Sequence, residues 1–235
     1  MSQGSVIEEE IARFDALAAN WWDPHGPMRP LHMMNLPRAA WVAERIRRRF
    51  ETGAAVLDVG CGAGLLAEAL AKDGFTVTGV DAGAEVVAAA RAHAEGQGLN
   101  LTYRQGTAEE LANEGTKFEV VTALEIIEHV ADPAAFLASL RALLAPGGLL
   151  FISTLNRTPK SYAVAKIGAE YMLRLLPVGT HEWKKFITPV ELGGLCRAAG
   201  LRLTDTAGLS YLPLQGGFKV SRDLSVNYLA MAVAD

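Results

Sequence analysis

Val56-Leu57-Asp58-Val59-Gly60-Cys61-Gly62-Ala63-Gly64, followed by Val77-Thr78-Gly79-Val80-Asp81, is the stretch that decides the fold. An apolar strand runs into three glycines at alternate positions, a helix-like stretch follows, and a second apolar strand ends on a lone carboxylate. That order is the layout of a nucleotide-type site at the carboxyl edge of a parallel sheet. Gly60, Gly62 and Gly64 let the backbone turn sharply and approach a ligand, because a Cβ there would clash or forbid the dihedrals. Asp81, at the strand tip, can accept two hydrogen bonds from a ribose diol, each worth roughly 1.5–3 kcal/mol. The plainer alternative is a glycine turn used only for close helix–strand packing, but a carboxylate ending an apolar strand needs a partner.

Working outward, strands at 55–60, 75–81, 100–104, 118–124 and 149–154 alternate with helices at 64–73, 83–96, 107–114 and 133–145. Gly74 and Gly98 lie where helices should end, and Pro146-Gly147-Gly148 stops the helix before the fifth strand. Thr188-Pro189-Val190-Glu191 reads as a capping box opening a helix at 189–199, and late strands near 201–209 and 225–233 complete the sheet. Right-handed crossovers between parallel strands predict an α/β fold, an open, mostly parallel sheet flanked by helices with its ligand at the strand carboxyl ends.

Ahead of the sheet, Ile7, Ile11, Phe14 and Leu17 space apolar side chains for a helix over 7–20 that runs into Trp21-Trp22-Asp23-Pro24. Pro37 then opens a second helical stretch, 38–49. The predicted organisation is a single domain over 1–235, with a helical appendage at 1–52 and an amphipathic insertion at 157–187.

At 235 residues and 50% hydrophobic the chain can bury a full core. Its 22 basic and 26 acidic residues are well mixed, net charge −4, so no basic face suggests a nucleic-acid partner. No secretory signal pattern opens the chain, Cys61 and Cys196 read as free thiols of a reducing cytoplasm, and no uncharged apolar run reaches the ~18 residues of a spanning helix.

The third glycine comes one residue earlier than in the dinucleotide fingerprint Gly-x-Gly-x-x-Gly, whose last position here is Leu65. With Asp58 inside the strand, this spacing resembles motif I of class I S-adenosylmethionine-dependent methyltransferases, which are Rossmann-like. The match runs on through Phe14 to Trp21-Trp22-Asp23, Pro30-Leu31-His32, Asn35-Leu36-Pro37-Arg38 and Glu125 to His129. It continues through Ser153-Thr154-Leu155-Asn156-Arg157, Gly168-Ala169-Glu170-Tyr171, Gly179-Thr180-His181, Lys184-Lys185-Phe186 and Val226-Asn227-Tyr228. Over nearly its whole length the chain is similar to the bacterial ubiquinone-biosynthesis O-methyltransferases.

The resemblance implies S-adenosylmethionine as cofactor, contacted by Arg38, Gly60, Gly62, Asp81 and Leu124. Arg38 would form a charge-assisted fork with the cofactor carboxylate, its plainer reading being a solvated helix charge. Where many of the superfamily carry an acid near the adenine, Gly106-Thr107-Ala108 stands here, so backbone contacts are expected. The implied substrates are polyprenyl catechols, 2-polyprenyl-6-hydroxyphenol and 3-demethylubiquinol, and the implied setting is a quinone-biosynthesis complex on the inner face of the membrane.

Glu125-Ile126-Ile127-Glu128-His129 follows the fourth strand, and positions i, i+3 and i+4 share a face if the segment is helical. A catechol oxygen must lose its proton to attack a methyl group, and an ordinary phenol near pKa 10 keeps it at pH 7. Two remedies remain open: His129, beside Glu128, acts as general base, or Glu125, Glu128 and His129 hold a divalent cation that acidifies the diol. The ligand set suits several metals; the resemblance favours Mg2+. In metal-free methyltransferases the Glu and His of this segment merely order the loop.

In the insertion, Lys166, Glu170 and Arg174 recur every fourth residue across 161–177, while Tyr162, Val164, Ile167, Tyr171 and Leu175 help fill a wide apolar face. Arg157, Lys160, Lys184 and Lys185 flank it and would meet an anionic membrane surface at about 1 kcal/mol each. The alternative is a lid helix packed on its own domain. Rival functions are methylation of another small phenol or carboxylate, a membrane-docked cofactor-binding scaffold, and a nicotinamide-dependent oxidoreductase.

Overall fold

The computed structural model describes residues 7–50, 53–164, 183–212 and 216–235. The alternation read from the glycine-loop region appears as β1 (Ala55–Val59), α3 (Leu65–Lys72), β2 (Thr76–Asp81), α4 (Ala84–Ala94), β3 (Leu101–Gln105), α5 (Ala108–Asn113), β4 (Phe118–Leu124), α6 (Pro133–Leu143) and β5 (Leu144–Leu155). After the insertion come α7 (Pro189–Ala198), β6 (Leu201–Leu212), β7 (Gly217–Ser221) and β8 (Asn227–Ala234), and α1 (Glu8–Asp15) and α2 (Arg29–Arg47) precede the sheet.

The strand order is β3-β2-β1-β4-β5-β8-β6-β7, with β1 to β5 parallel and β8 antiparallel to both β5 and β6. Neighbouring residues in the central strands serve opposite faces. Val56, Val120 and Leu149 pack with Trp41, Leu66, Leu70 and Val86 from α2, α3 and α4. Leu57, Val121 and Leu150 pack with Leu111, Phe136, Leu140 and Leu192 from α5, α6 and α7. Both faces are covered, which is why these strands read as unbroken apolar runs. The order reverses between β1 and β4, so the ends of those two strands flank the crevice where such sheets take their ligands.

Four local expectations need correction. The helix expected over 7–20 is α1 followed by a 3-10 turn at Ala18–Asn20. The second helix begins nine positions before residue 38, at Arg29, with Pro30 in its first turn and Pro37 inside it. Pro37 deprives a carbonyl one turn back of its donor, yet the helix persists because Met34, Arg38, Trp41 and Val42 bury one face of it. Gly96, with φ +74°, rather than Gly98, follows the last residues of α4. The late region holds three strands rather than two, since 217–221 pairs antiparallel with the end of β6. Of the helix expected over 161–177, residues 161–164 are helical and the remainder lies outside the described residues.

The appendage is fastened by a cap supplied from outside the helix it serves. α4 begins after Gly83, which has no side chain to offer, and the Oδ1 of Asp15 at the end of α1 instead accepts from the Glu85 and Val86 amides at 3.1 Å each. An N-cap carboxylate is worth about 1 kcal/mol. Asp15→Ala is therefore expected to lower Tm by about 2–4 °C, with Asp15→Asn retaining most of the stability; calorimetry of both variants checks this.

Candidate active site

A cavity of about 790 Å³ opens at the carboxyl ends of β1, β2 and β4. Arg38, Gly60, Gly62, Asp81 and Leu124 all line it, and so do Glu125, Glu128 and His129. Residues drawn from four separate stretches of sequence are thus gathered on one crevice.

The three glycines of the loop are left-handed, with φ of +67° at Gly60, +52° at Gly62 and +93° at Gly64. A Cβ would overlap Ile126 at Gly60, Trp21 at Gly62 and the Tyr103 hydroxyl at Gly64. The protein's own side chains therefore share the close approach that the sequence reserves for a ligand. The Gly60 and Cys61 amides donate to the Val80 carbonyl at 2.8 and 3.1 Å, hanging the loop on the end of β2. Asp81 completes the clamp: Oδ2 accepts from the Gly62 amide and Oδ1 from the Gly83 amide, both at 2.9 Å. Burial raises its carboxyl above the ordinary range, and the Gly83, Gly62 and Ala82 amides offset only part of that rise. Each oxygen carries one protein donor and keeps a lone pair, which is the capacity a ribose diol requires.

Arg38 is only 5% exposed, so the solvated reading does not hold. Its Nε donates to Asn35 Oδ1 at 3.3 Å, and Asn35 Nδ2 donates to the Leu65 carbonyl at 2.7 Å, binding α2 to the start of α3. Burial lowers the guanidinium pKa, while the nearby carboxylates of Glu125 and Asp58 oppose that shift. A guanidinium stays charged in proteins, so the crevice holds a buried cation suited to a ligand carboxylate. Asp58 accepts from Thr122 Oγ1 at 2.6 Å, and burial pushes its carboxyl up to about 7. Gly106, Thr107 and Ala108, expected beside the adenine, are not among the lining residues; the Gly106 amide donates to the Asp81 carbonyl at 2.9 Å and Thr107 caps α5.

Glu125, Glu128 and His129 share the cavity but not a focus. Only Ile127–His129 turn, as a single 3-10 turn, and Glu125 stands before it with φ +58°. The Glu125 carboxylate accepts from Ser153 Oγ at 2.6 Å and from Asn227 Nδ2 at 3.0 Å. Glu128 is buried and accepts from Thr154 Oγ1 at 2.9 Å; burial and the neighbouring Glu125 charge raise its pKa. His129 Nδ1 lies 3.2 Å from Glu10 Oε2, and Phe14 meets the imidazole edge-on at 5.7 Å. No group of three His, Cys, Asp or Glu side chains able to hold a metal ion occurs among the described residues. Among the described residues these three side chains do not gather into one cluster: a 3-10 turn does not align i, i+3 and i+4 as an α-helix does, and each carboxylate accepts from protein donors.

Burial lowers the His129 pKa, against the opposing charges of Glu10 and Glu125. Two further walls went unread in the sequence. Trp21 covers the glycine loop from the appendage, and the β6–β7 hairpin supplies Leu209, Tyr211 and Phe218. The Trp21-Trp22 pair was visible as a helix end but gave no hint of its target.

A methyltransferase-domain family model matches residues 34–206. A ubiquinone biosynthesis O-methyltransferase of Cereibacter sphaeroides (strain ATCC 17025 / ATH 2.4.3) is 48% identical over 99% of both chains. Another of the same description, from Roseobacter denitrificans, is 48% identical over 98% of this chain and 97% of its own.

The chain belongs to the ubiquinone-biosynthesis O-methyltransferase family.

As a member of that family it is an S-adenosylmethionine-dependent O-methyltransferase of ubiquinone biosynthesis. Its fold matches that of magnesium protoporphyrin IX methyltransferase from Synechocystis PCC 6803 with bound SAH, at TM-score 0.68 and 19% identity, over 97% of this chain and 100% of that one. The glycine loop, the lone carboxylate at the tip of β2 and the buried Arg38 are an arrangement that suits a nucleoside with an amino-acid tail.

Proposed function

We propose that this enzyme methylates a hydroxyl of polyprenyl catechols, 2-polyprenyl-6-hydroxyphenol and 3-demethylubiquinol, by direct in-line transfer. The single observation that carries this reading is the lining of the cavity, in which the polar groups of Asp81, Arg38, Glu125 and His129 stand among the apolar side chains of Met28, Leu31, Met34, Tyr162, Trp183 and Phe218. A mostly apolar pocket with a few polar groups suits a prenylated ring whose hydroxyls alone need polar partners.

S-adenosylmethionine supplies the electrophilic methyl group. Asp81 would hold the ribose diol with the lone pairs left by Gly62 and Gly83, and Arg38 would pair with the amino-acid carboxylate. Gly60, Gly62 and Leu124, which line the cavity, would border the sulfonium end of the bound cofactor. His129, neutral because burial lowers its pKa, accepts the proton of the attacking hydroxyl. Glu128, whose carboxyl is raised by burial, braces the turn that carries His129 through Thr154. Holding donor and acceptor in line is the main contribution of the protein.

The cavity wall reaches the surface at Tyr162, Val164 and Trp183, which are exposed. Such a rim, next to the insertion, supports peripheral docking on the anionic inner face of the membrane from which a prenylated substrate comes. No helix of the described residues is long and apolar enough to cross a membrane. Two of the four basic residues expected at lipid head groups are engaged within the protein instead: Arg157 pairs with Glu191, and Lys160 Nζ lies 2.6 Å from Asp223. Lys184 and Lys185 are exposed in the 3-10 turn Trp183–Lys185.

A methyl-transfer assay tests the reading: turnover on a prenylated catechol should exceed that on a water-soluble one. The reverse order would favour another small phenol as substrate. Deleting 161–176 should abolish flotation with anionic liposomes more than it lowers activity on a soluble, short-chain catechol; unaffected flotation would remove the membrane from the account.

A further inference from the structure

Two costs fall together at one point of the cavity wall. Glu125 is the only non-glycine residue with positive φ among the described residues, at +58°, a conformation that L side chains adopt at a cost of order 1–3 kcal/mol. Asn227, at the start of β8 and only 5% exposed, has a buried Oδ1 with no hydrogen-bond partner in the structure. A buried polar atom left unpaired calls for an explanation.

Both costs serve the same carboxylate. Asn227 Nδ2 donates to Oε1 and to Oε2 of Glu125, each at 3.0 Å, across 102 residues of chain. From the other side Ser153 Oγ donates to Oε1 at 2.6 Å and accepts from the Glu125 amide at 3.1 Å. The amide orientation of Asn227 follows from this: turned over, it would set its carbonyl oxygen against the carboxylate, so the unpaired Oδ1 is the consequence of holding Glu125. Oε1 receives two donors, while Oε2 receives only the Asn227 amide and keeps acceptor capacity, in a residue that lines the cavity.

Resting on the catechol reading above, we propose that Asn227 and Ser153 are positioning residues that aim Glu125 Oε2 at the second hydroxyl of the substrate, the one that is not methylated. Glu125 is then the contact that selects a vicinal diol over a lone phenol, and it does so by direct hydrogen bonding. A site that hydrogen-bonds a substrate hydroxyl discriminates strongly against an analogue lacking it, because its polar group is left unpaired. The carboxylate has to be clamped, since a free glutamate would lose side-chain entropy on binding and weaken the choice.

The test measures binding of a prenylated catechol and of its monophenol counterpart to the S-adenosylhomocysteine complex, by calorimetry in the presence of a chelator. Wild-type protein should prefer the catechol. Asn227→Ala and Ser153→Ala should each weaken catechol binding about tenfold, the value of one charge-assisted hydrogen bond, and leave the monophenol unaffected. The KM for the catechol should rise while that for S-adenosylmethionine stays constant. Asn227→Asp, the same shape without the donor and with a like charge facing Glu125, should be worse than Asn227→Ala; a side chain that merely fills space would give the opposite ranking. Equal weakening of both ligands, an unchanged preference in both alanine variants, or the loss of the wild-type preference on chelation would overturn the proposal. Wild-type protein that binds the two ligands equally without chelator would instead overturn the catechol reading, and the proposal with it.

Discussion

Asp81→Ala is expected to weaken S-adenosylmethionine binding by about tenfold or more in calorimetry. Two hydrogen bonds from a ribose diol to a carboxylate are each worth roughly 1.5–3 kcal/mol, and about 1.4 kcal/mol is a factor of ten. The loss has a second origin in the apo protein. Asp81 also accepts from the amides of Gly62 and Gly83, so its removal frees the glycine loop from the β2 tip, and the loop must then be ordered at the expense of binding. Asp81→Asn separates the two contributions poorly, because its amide nitrogen would face one of those backbone donors and only one oxygen would remain. An affinity unchanged in Asp81→Ala would remove the carboxylate from the cofactor site.

His129→Ala is expected to lower kcat by about 10²–10⁴ at pH 7, the range for loss of a general base. The sign of the pH dependence follows from the burial of the imidazole. Its pKa is lowered from the ordinary value of about 6.5, against the opposing charges of Glu10 and Glu125, so the neutral, proton-accepting form prevails at pH 7. As pH falls through that lowered value the ring takes up a proton and kcat/KM should be lost, with the acid limb below pH ~6.5. Glu10→Gln removes an anion 3.2 Å from Nδ1 and should move that limb lower still. In His129→Ala the defect should shrink as the pH nears the phenol's own pKa, where the nucleophile ionises unaided. Full activity of the variant at pH 7, or a defect that does not change with pH, would show that the proton leaves by another route.

Much of the core could be read directly because its signals are local. Helices expected at 64–73, 83–96, 107–114 and 189–199 appear within a residue or two of those limits, each bracketed by a capping residue or a glycine. Thr188 and Glu191 form the anticipated capping box, with Glu191 accepting from the Thr188 amide at 2.8 Å. The glycine spacing and the position of Asp81 fix where β1 and β2 end, and strand parallelism then brings those ends side by side. Arg38 illustrates the limit of such reading: its place on a helix was legible, but its burial was not, since α2 has no strong apolar periodicity around Pro37 to point one face inward.

The less legible features all depend on partners far away in the chain. Nothing near Gly83 foretells that its helix is capped by Asp15 from another element. β7 is short and edge-lying, with Lys219 and Val220 exposed, so its pairing with β6 leaves a weak alternation. The spacing of Glu125, Glu128 and His129 suggested convergence, yet Ser153, Asn227 and Thr154 engage the two carboxylates separately.

By itself the sequence determined the order of strands and helices from β1 to β5, the site of the sharp turn after β1, and the carboxylate that faces it, because propensity, capping and glycine dihedrals act over a few bonds. Tertiary structure alone decided which side chains meet in the crevice. Strand order sets β4, β5 and β8 next to one another, and only that adjacency delivers Ser153 and Asn227 to Glu125, through contacts whose energy depends on geometry that no local pattern encodes.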